Sequence, residues 1–205
     1  MRIVHVAPFY YPVIGGVEEV VKRVAEYMAS KGNEVFVITY NRARTGGIGH
    51  FPREETINDV YVVRLKPSYV WSYGTYSSEL PEVLGKLKPD LVHVHVWRHP
   101  HVFQVAKLNK RLHFKTILHT HAPFHRLGQL GIATWLYHKA IDWLIKKILK
   151  KYDRLIVLTP HEKSILVGKL GVEEEKLVIV PNGIDDKLVS LICGTIRAEA
   201  DVLYL

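Results

Sequence analysis

The sequence has 205 residues, 48% hydrophobic and 23% charged, a balance that excludes a disordered chain and supplies the core of one large domain or two small ones. Lys and Arg (28) outnumber Asp and Glu (20), a formal net charge of +8, which favours an anionic partner: phosphate groups, an acidic membrane surface or nucleic acid. Cys193 is the only cysteine, which excludes an internal disulfide; no run reaches the ~18 consecutive apolar residues that span a bilayer, and Met1–Pro8 lacks the pattern of a signal peptide, so a cytoplasmic protein is expected, with room for peripheral contact at the inner membrane surface.

In chain order, a first dense β-branched run, Ile3–Ala7, reads as a buried strand. Val17, Val20, Val21, Val24 and Met28 then form one stripe of a helix, stopped at Gly32. A second strand, Val35–Thr39, leads into Asn41–Asn58, which holds Gly46, Gly47, Gly49 and Pro52 with Arg42, Arg44 and Arg53. That segment reads as a long basic loop at the C-terminal end of a strand, either a ligand-binding loop or a plain surface insertion. Further strands are expected at Val60–Leu65, Leu91–Val96, Thr116–His119, Leu155–Thr159 and Leu177–Val180, and helices at Ser77–Leu87, His101–Leu112, Ala133–Lys151 and Pro160–Leu170. The alternation predicts an α/β fold: a Rossmann-like, doubly wound parallel sheet of six or seven strands with helices on both faces. The tail Lys187–Leu205 is too short for a second α/β domain, so the expected division is a domain over 1–186 and a tail over 187–205.

Four stretches carry candidate chemistry. Pro12-Val13-Ile14-Gly15-Gly16-Val17-Glu18 opens the first helix, and its glycines would let a phosphate or diphosphate approach the helix N-terminus; the alternative is a tight turn. No further glycine appears until Gly32, so the dinucleotide fingerprint is absent, which argues against a nicotinamide or flavin enzyme. Pro89–Trp97 places His93 and His95 on one strand face, with Trp97 at the strand end, where it could stack on a sugar face or a lipid; His93 reads as a core histidine. Thr116–Pro123 repeats the pattern with His119 and His121. The four histidines come without a carboxylate, so metal-dependent hydrolysis is set aside and no metal or cofactor is expected. Ile179–Asp185 ends a strand in the turn Pro181-Asn182-Gly183. Basic residues are spread along the chain and no nucleic-acid motif appears, so nucleic acid is not an expected partner.

In order, these stretches resemble the retaining glycosyltransferases of group 4 (family 4), which have the GT-B fold. The matches are Pro12, Gly15, Gly16 and Glu18; Pro89 to His95; His119 and Thr120; Asp153 to Thr159; and the hinge Val180 to Asp185, with Asn182 and Gly183. The resemblance covers Met1 to about Asp185. It implies the N-terminal, acceptor-side half of a two-domain enzyme that transfers a sugar from a nucleotide-sugar donor to a hydroxyl acceptor, with a lipid-linked acceptor among the options. It further implies His119 as the catalytic residue beside the transferred sugar. Gly15, Gly16, Glu18, His95, Trp97, Thr120 and Thr159 would line the donor-diphosphate and acceptor sites. The family's donor-binding motif, E-x7-E, has no match after Asp185. The expectation is therefore a chain weakly active at best alone, whose donor half is missing or separate, or else a non-catalytic acceptor-binding half that needs a donor-binding subunit. The helix Trp135–Tyr152, apolar on one side and lysine-rich on the other, suits a membrane surface or an ordinary crossover with a solvated face; the crossover is the favoured reading.

Overall fold

The computed structural model describes residues 1–44, 49–71, 74–121 and 131–183. Among the described residues ten strands and five helices follow one another: β1 Arg2–Val6, α1 Gly16–Ser30, β2 Glu34–Tyr40, β3 Glu54–Ile57, β4 Val60–Leu65, β5 Tyr69–Trp71, β6 Gly74–Tyr76, α2 Leu80–Leu87, β7 Leu91–His95, α3 Pro100–Leu112, β8 Lys115–His119, α4 Ile132–Leu149, β9 Arg154–Val157, α5 Pro160–Leu170 and β10 Leu177–Ile179. Eight strands form one sheet in the order β10-β9-β8-β7-β1-β2-β4-β3, and β5 with β6 forms a separate hairpin. Every pairing in the large sheet is parallel except β3 with β4.

The sheet is therefore mixed and one strand larger than expected. The extra strand lies inside the segment read as a loop. Asn58 and Asp59 both take left-handed backbone (φ 49° and 63°), the geometry of a two-residue hairpin whose twist matches the flanking strands. Glu54–Ile57 thereby folds back on β4. Arg64, buried on β4, anchors this edge: it forms an ion pair with Glu55 and donates to the carbonyls of Pro52 (3.1 Å) and Tyr11 (2.8 Å). Helix α2 begins at Leu80 rather than Ser77, because the Ser77 hydroxyl donates to the Lys66 carbonyl at 2.7 Å and Gly74–Tyr76 is already a strand.

Successive strand residues point to opposite faces, and the core divides accordingly. Ile3, Ala7, Val35, Val37, Val60 and Val62 pack with Val21 and Ala25 of α1. Val4, Val6, Ile38, Val92, Val94 and Leu118 pack on the other side with apolar residues of α2 to α5. Helix α4 gives Ile145 and Leu149 to this core, yet Ile132, Leu136, Trp143 and Leu144 remain exposed, Trp143 at 75%. The helix connects the parallel neighbours β8 and β9 with its lysines solvated, as the crossover reading expects, while part of its apolar surface lies off the sheet. No helix among the described residues is long and apolar enough to cross a membrane.

Candidate functional site

In the sheet order, β2 flanks β1 on one side and β7 on the other. Strand order reverses there, and in open α/β sheets the crevice beyond the strand C-termini at such a point is where ligands sit. A cavity of about 400 Å³ occupies it, lined by Phe9 after β1, Gly16 and Glu18 of α1, Arg42 and Arg44 after β2, and His99 after β7. A larger cavity, about 540 Å³, lies against β3, β4 and α2. Its charged rim is internally paired, Arg53 with Glu79 and Lys86 with Glu82, and it lies away from the switch point, so the smaller cavity is the better candidate.

The two glycines differ in role. A Cβ on Gly15 would collide with the Glu18 carboxylate and the Arg44 guanidinium, whereas one on Gly16 would meet nothing within 4 Å. Gly15 makes room for an internal ion pair, Glu18–Arg44 at 2.7 Å; Gly16 leaves space for something from outside. No side chain caps the N-terminus of α1, so its first-turn N–H groups remain available to a ligand.

Beside the cavity lies a histidine ladder. His5, His93, His95 and His119 sit at paired positions of three neighbouring strands, on the α1 face of the sheet. His95 contacts His5 through Nε2 and His121 through Nδ1, both at 3.1 Å. His93 stacks on His95 with ring centroids 4.2 Å apart, and His119 on His121 at 3.7 Å. Nε2 of His5, His93 and His119 is buried without a hydrogen-bond partner among the described residues. Burial pushes the pKa of His5 and His121 down to about 4 and that of His119 to about 3. His93 and His95 lie well below the ordinary histidine range, through burial first and neighbouring imidazoles second, so the ladder is neutral at pH 7. Two triads, His5–His93–His95 and His95–His119–His121, bring ring nitrogens within 4.8 Å of one another, close enough to hold a metal ion. His95 belongs to both and already spends each nitrogen on a neighbouring ring, and no carboxylate joins either triad among the described residues.

The remaining expected residues scatter. Gly15, His95, His119 and Asn182 do share the C-terminal edge of the sheet. Trp97, expected as a stacking surface at the strand end, is 1% exposed and belongs to the core. Val96 takes left-handed backbone (φ 69°), the chain turns inward, and the Arg98 guanidinium covers the Trp97 ring at 4.4 Å. Thr120 is buried; its hydroxyl donates to Glu162 and its N–H to the Ile156 carbonyl at 3.1 Å. Thr159 caps α5 by accepting from the Glu162 N–H at 3.1 Å. Both hydroxyls serve the frame rather than the cavity. The His119 carbonyl accepts from the Val96 N–H at 3.0 Å. Asn182 and Gly183 are exposed beyond β10. Asp185, Ala122–Phe124 and the tail lie outside the described residues. Sequence reading missed Phe9, His99 and Glu162 and left Arg42 and Arg44 undecided. The signal was position: Phe9, Arg42 and His99 follow parallel strands by two to four residues, where such a sheet binds ligands.

Residues 14–188 match the model of Glycosyltransferase Family 4. The chain is 26% identical over 188 residues to the GDP-mannose:cellobiosyl-diphosphopolyprenol alpha-mannosyltransferase of Xanthomonas campestris, covering 90% of this chain and 47% of that protein; it thus spans about half the length of this relative. Among solved structures, sucrose-phosphate synthase from Thermosynechococcus elongatus superposes with a TM-score of 0.65 at 19% identity, over 91% of this chain and 49% of the other. Anabaena Alr3699/HepE, solved in complex with UDP-glucose, superposes at 0.63 and 12% identity, over 92% and 45%. The structural likenesses establish the GT-B type of fold.

Proposed function

Because this chain belongs to Glycosyltransferase Family 4, matched over residues 14–188, we propose that residues 1–186 form the acceptor side of a retaining transferase. It moves a sugar from a nucleotide-sugar donor to a hydroxyl acceptor, and the donor side comes from polypeptide joined to this segment or supplied as a separate subunit. The observation that carries the reading is the uncapped N-terminus of α1, opening at Gly16 into the switch-point cavity. In retaining transfer the sugar becomes oxocarbenium-like as diphosphate departs, and backbone N–H donors with the helix dipole stabilise the departing charge. The neutral imidazole of His119, with Nε2 unpartnered among the described residues, orients a sugar hydroxyl by hydrogen bonding rather than by titrating.

The Xanthomonas relative takes GDP-mannose and a diphosphopolyprenol-linked sugar by its name, and Anabaena HepE holds UDP-glucose. Both support a nucleotide-sugar donor here, and the first supports a lipid-linked acceptor. The exposed stripe of α4, Ile132, Leu136 and Trp143 followed by Lys146, Lys147 and Lys150, suits a peripheral contact with an anionic bilayer. The test combines the chain with a family 4 donor half, GDP-mannose or UDP-glucose, and a short-chain polyprenyl diphosphate sugar. A product one hexose heavier by mass spectrometry is expected; binding of the acceptor without transfer under every donor would reduce the chain to an acceptor-binding half.

A further inference from the structure

We infer that His5, His95 and His121 form a directed hydrogen-bond chain that sets His121 as an N–H donor at the C-terminal edge of the sheet, where it meets an oxygen of the sugar that His119 orients. Only the sugar rests on the transferase reading; the chain and its direction stand on the rings themselves.

The links are fixed by geometry. His95 Nε2 meets His5 Nδ1, and His95 Nδ1 meets His121 Nε2, each at 3.1 Å. A hydrogen bond between two imidazoles needs a proton on one nitrogen and a lone pair on the other, and a neutral ring has one of each. Burial keeps all three rings neutral at pH 7. The proton on His95 therefore decides the whole chain. With it on Nδ1, His95 donates to His121 Nε2 and accepts from His5 Nδ1–H, and His121 carries its own proton on Nδ1. With it on Nε2, both bonds run the other way, and His5 carries its proton on Nε2. No mixed arrangement satisfies both contacts.

The buried end selects the direction. His5 is 1% exposed, and its Nε2 has no partner among the described residues. The second arrangement would put an N–H there with nothing to receive it. The first leaves only a lone pair, and an orphaned buried N–H is the rarer of the two. The first arrangement thus prevails and delivers its polarity to the other end. His121 is half-buried, follows β8 in left-handed backbone (φ 46°), and among the described residues its ring makes this one hydrogen bond. It stacks on His119 with centroids 3.7 Å apart and planes 25° apart, so a sugar that reaches His119 borders His121 as well. Its Nδ1–H is the donor for an oxygen of that sugar. His5 and His95, buried within the sheet, are positioning residues that act through the proton they assign.

The test is long-range proton–nitrogen NMR of the histidine rings in the purified, EDTA-treated chain, which reads each tautomer directly. Free histidine favours Nε2–H, so Nδ1–H on His5, His95 and His121 together is the distinctive result expected. His5→Leu removes the donor at the buried end and should leave His95 and His121 as mixtures of tautomers. His5→Asn, whose amide N–H lies where Nδ1–H stood, should restore them. Nε2–H on His121 in the unaltered chain, or unchanged assignments in a folded His5→Leu protein, overturns the chain; the first reading needs no variant to fold. In the enzyme reconstituted with a donor half, His5→Leu should lower kcat/KM for the nucleotide sugar about fivefold, the worth of one neutral hydrogen bond, and His5→Asn should recover it. Equal loss in both variants, or none in either, overturns the positioning role. The tautomers are read without transfer, so a failed transfer assay with Nδ1–H on all three rings would sink the transferase reading and leave the chain standing.

Discussion

His119 and His93 occupy adjacent strands on one face of the sheet, yet their surroundings differ. The His93 ring is packed between His5 and His95, with centroids at 5.0 and 4.2 Å, whereas His119 ends its strand. In an enzyme reconstituted with a donor half, His119→Ala should lower turnover by roughly 10²–10³, the usual cost of one positioned polar group, at temperatures where the variant is still folded. His93→Ala should act chiefly through stability. Turnover near wild type for His119→Ala, with loss in a well-folded His93→Ala protein, would reverse the assignment. The glycines give a parallel contrast. Gly16→Val should remove activity in a protein that still folds, because the added side chain enters open space where the ligand meets the helix N-terminus. Gly15→Ala should instead disturb the Glu18–Arg44 pair and lower stability. Equal melting temperatures for both variants and wild type would contradict that division.

At the scale of elements, β3 and α4 depart most from the sequence pattern. The β3 edge hangs on Arg64, which is buried while its partner Glu55 is partly exposed, so removing the guanidinium chiefly leaves the Pro52 and Tyr11 carbonyls without a donor. Arg64→Met should therefore cost about 2 kcal/mol in urea denaturation; a loss under about 0.5 kcal/mol would mean that the edge holds by its backbone ladder alone. Helix α4 presents two faces, Ile145 and Leu149 inward and Trp143 with Lys146 and Lys147 outward. Its N-terminal half also meets the small hairpin, where Trp71 Nε1 donates to the Tyr137 hydroxyl at 3.0 Å. Flotation with vesicles should recover the chain on phosphatidylglycerol membranes and far less on phosphatidylcholine. Trp143→Ser combined with Lys147→Gln should release it, since both apolar insertion and charge attraction contribute. Equal flotation of wild type and double variant would remove α4 from the membrane contact.

For the whole molecule, the buried histidines set a pH dependence of stability. His101 and His119 have pKa values pushed down to about 3, and His5 and His121 to about 4, in each case chiefly by burial. The unfolded chain titrates near the ordinary histidine value of 6.5. Above it both states are neutral and stability is complete. Below it the unfolded chain takes protons that the native ladder refuses, so stability falls as pH drops through the window from 6.5 to about 4. Each such histidine contributes a loss of about 1.4 kcal/mol per pH unit. The urea midpoint should thus fall markedly between pH 7.5 and 5.5, and a flat profile would show that the rings are solvated.

The sequence by itself determined the α/β class, a parallel sheet of six or seven strands and the extent of α5, because buried β-branched runs and helical stripes are local signals whose order survives without coordinates, and its ordered motifs carried the resemblance to the family. It also put Gly15, Gly16, His95 and His119 at one sheet edge, since strand ends in a parallel sheet face one way. It misread the interior destinations of side chains. Trp97 looked like a surface aromatic and Thr120 and Thr159 like ligand contacts, but whether a polar or aromatic group meets solvent, core or a buried carboxylate such as Glu162 depends on elements distant in sequence. Only the tertiary structure joined Phe9, Arg42, Arg44 and His99 around one cavity, because three separate strand ends must converge at the switch point before those residues can meet.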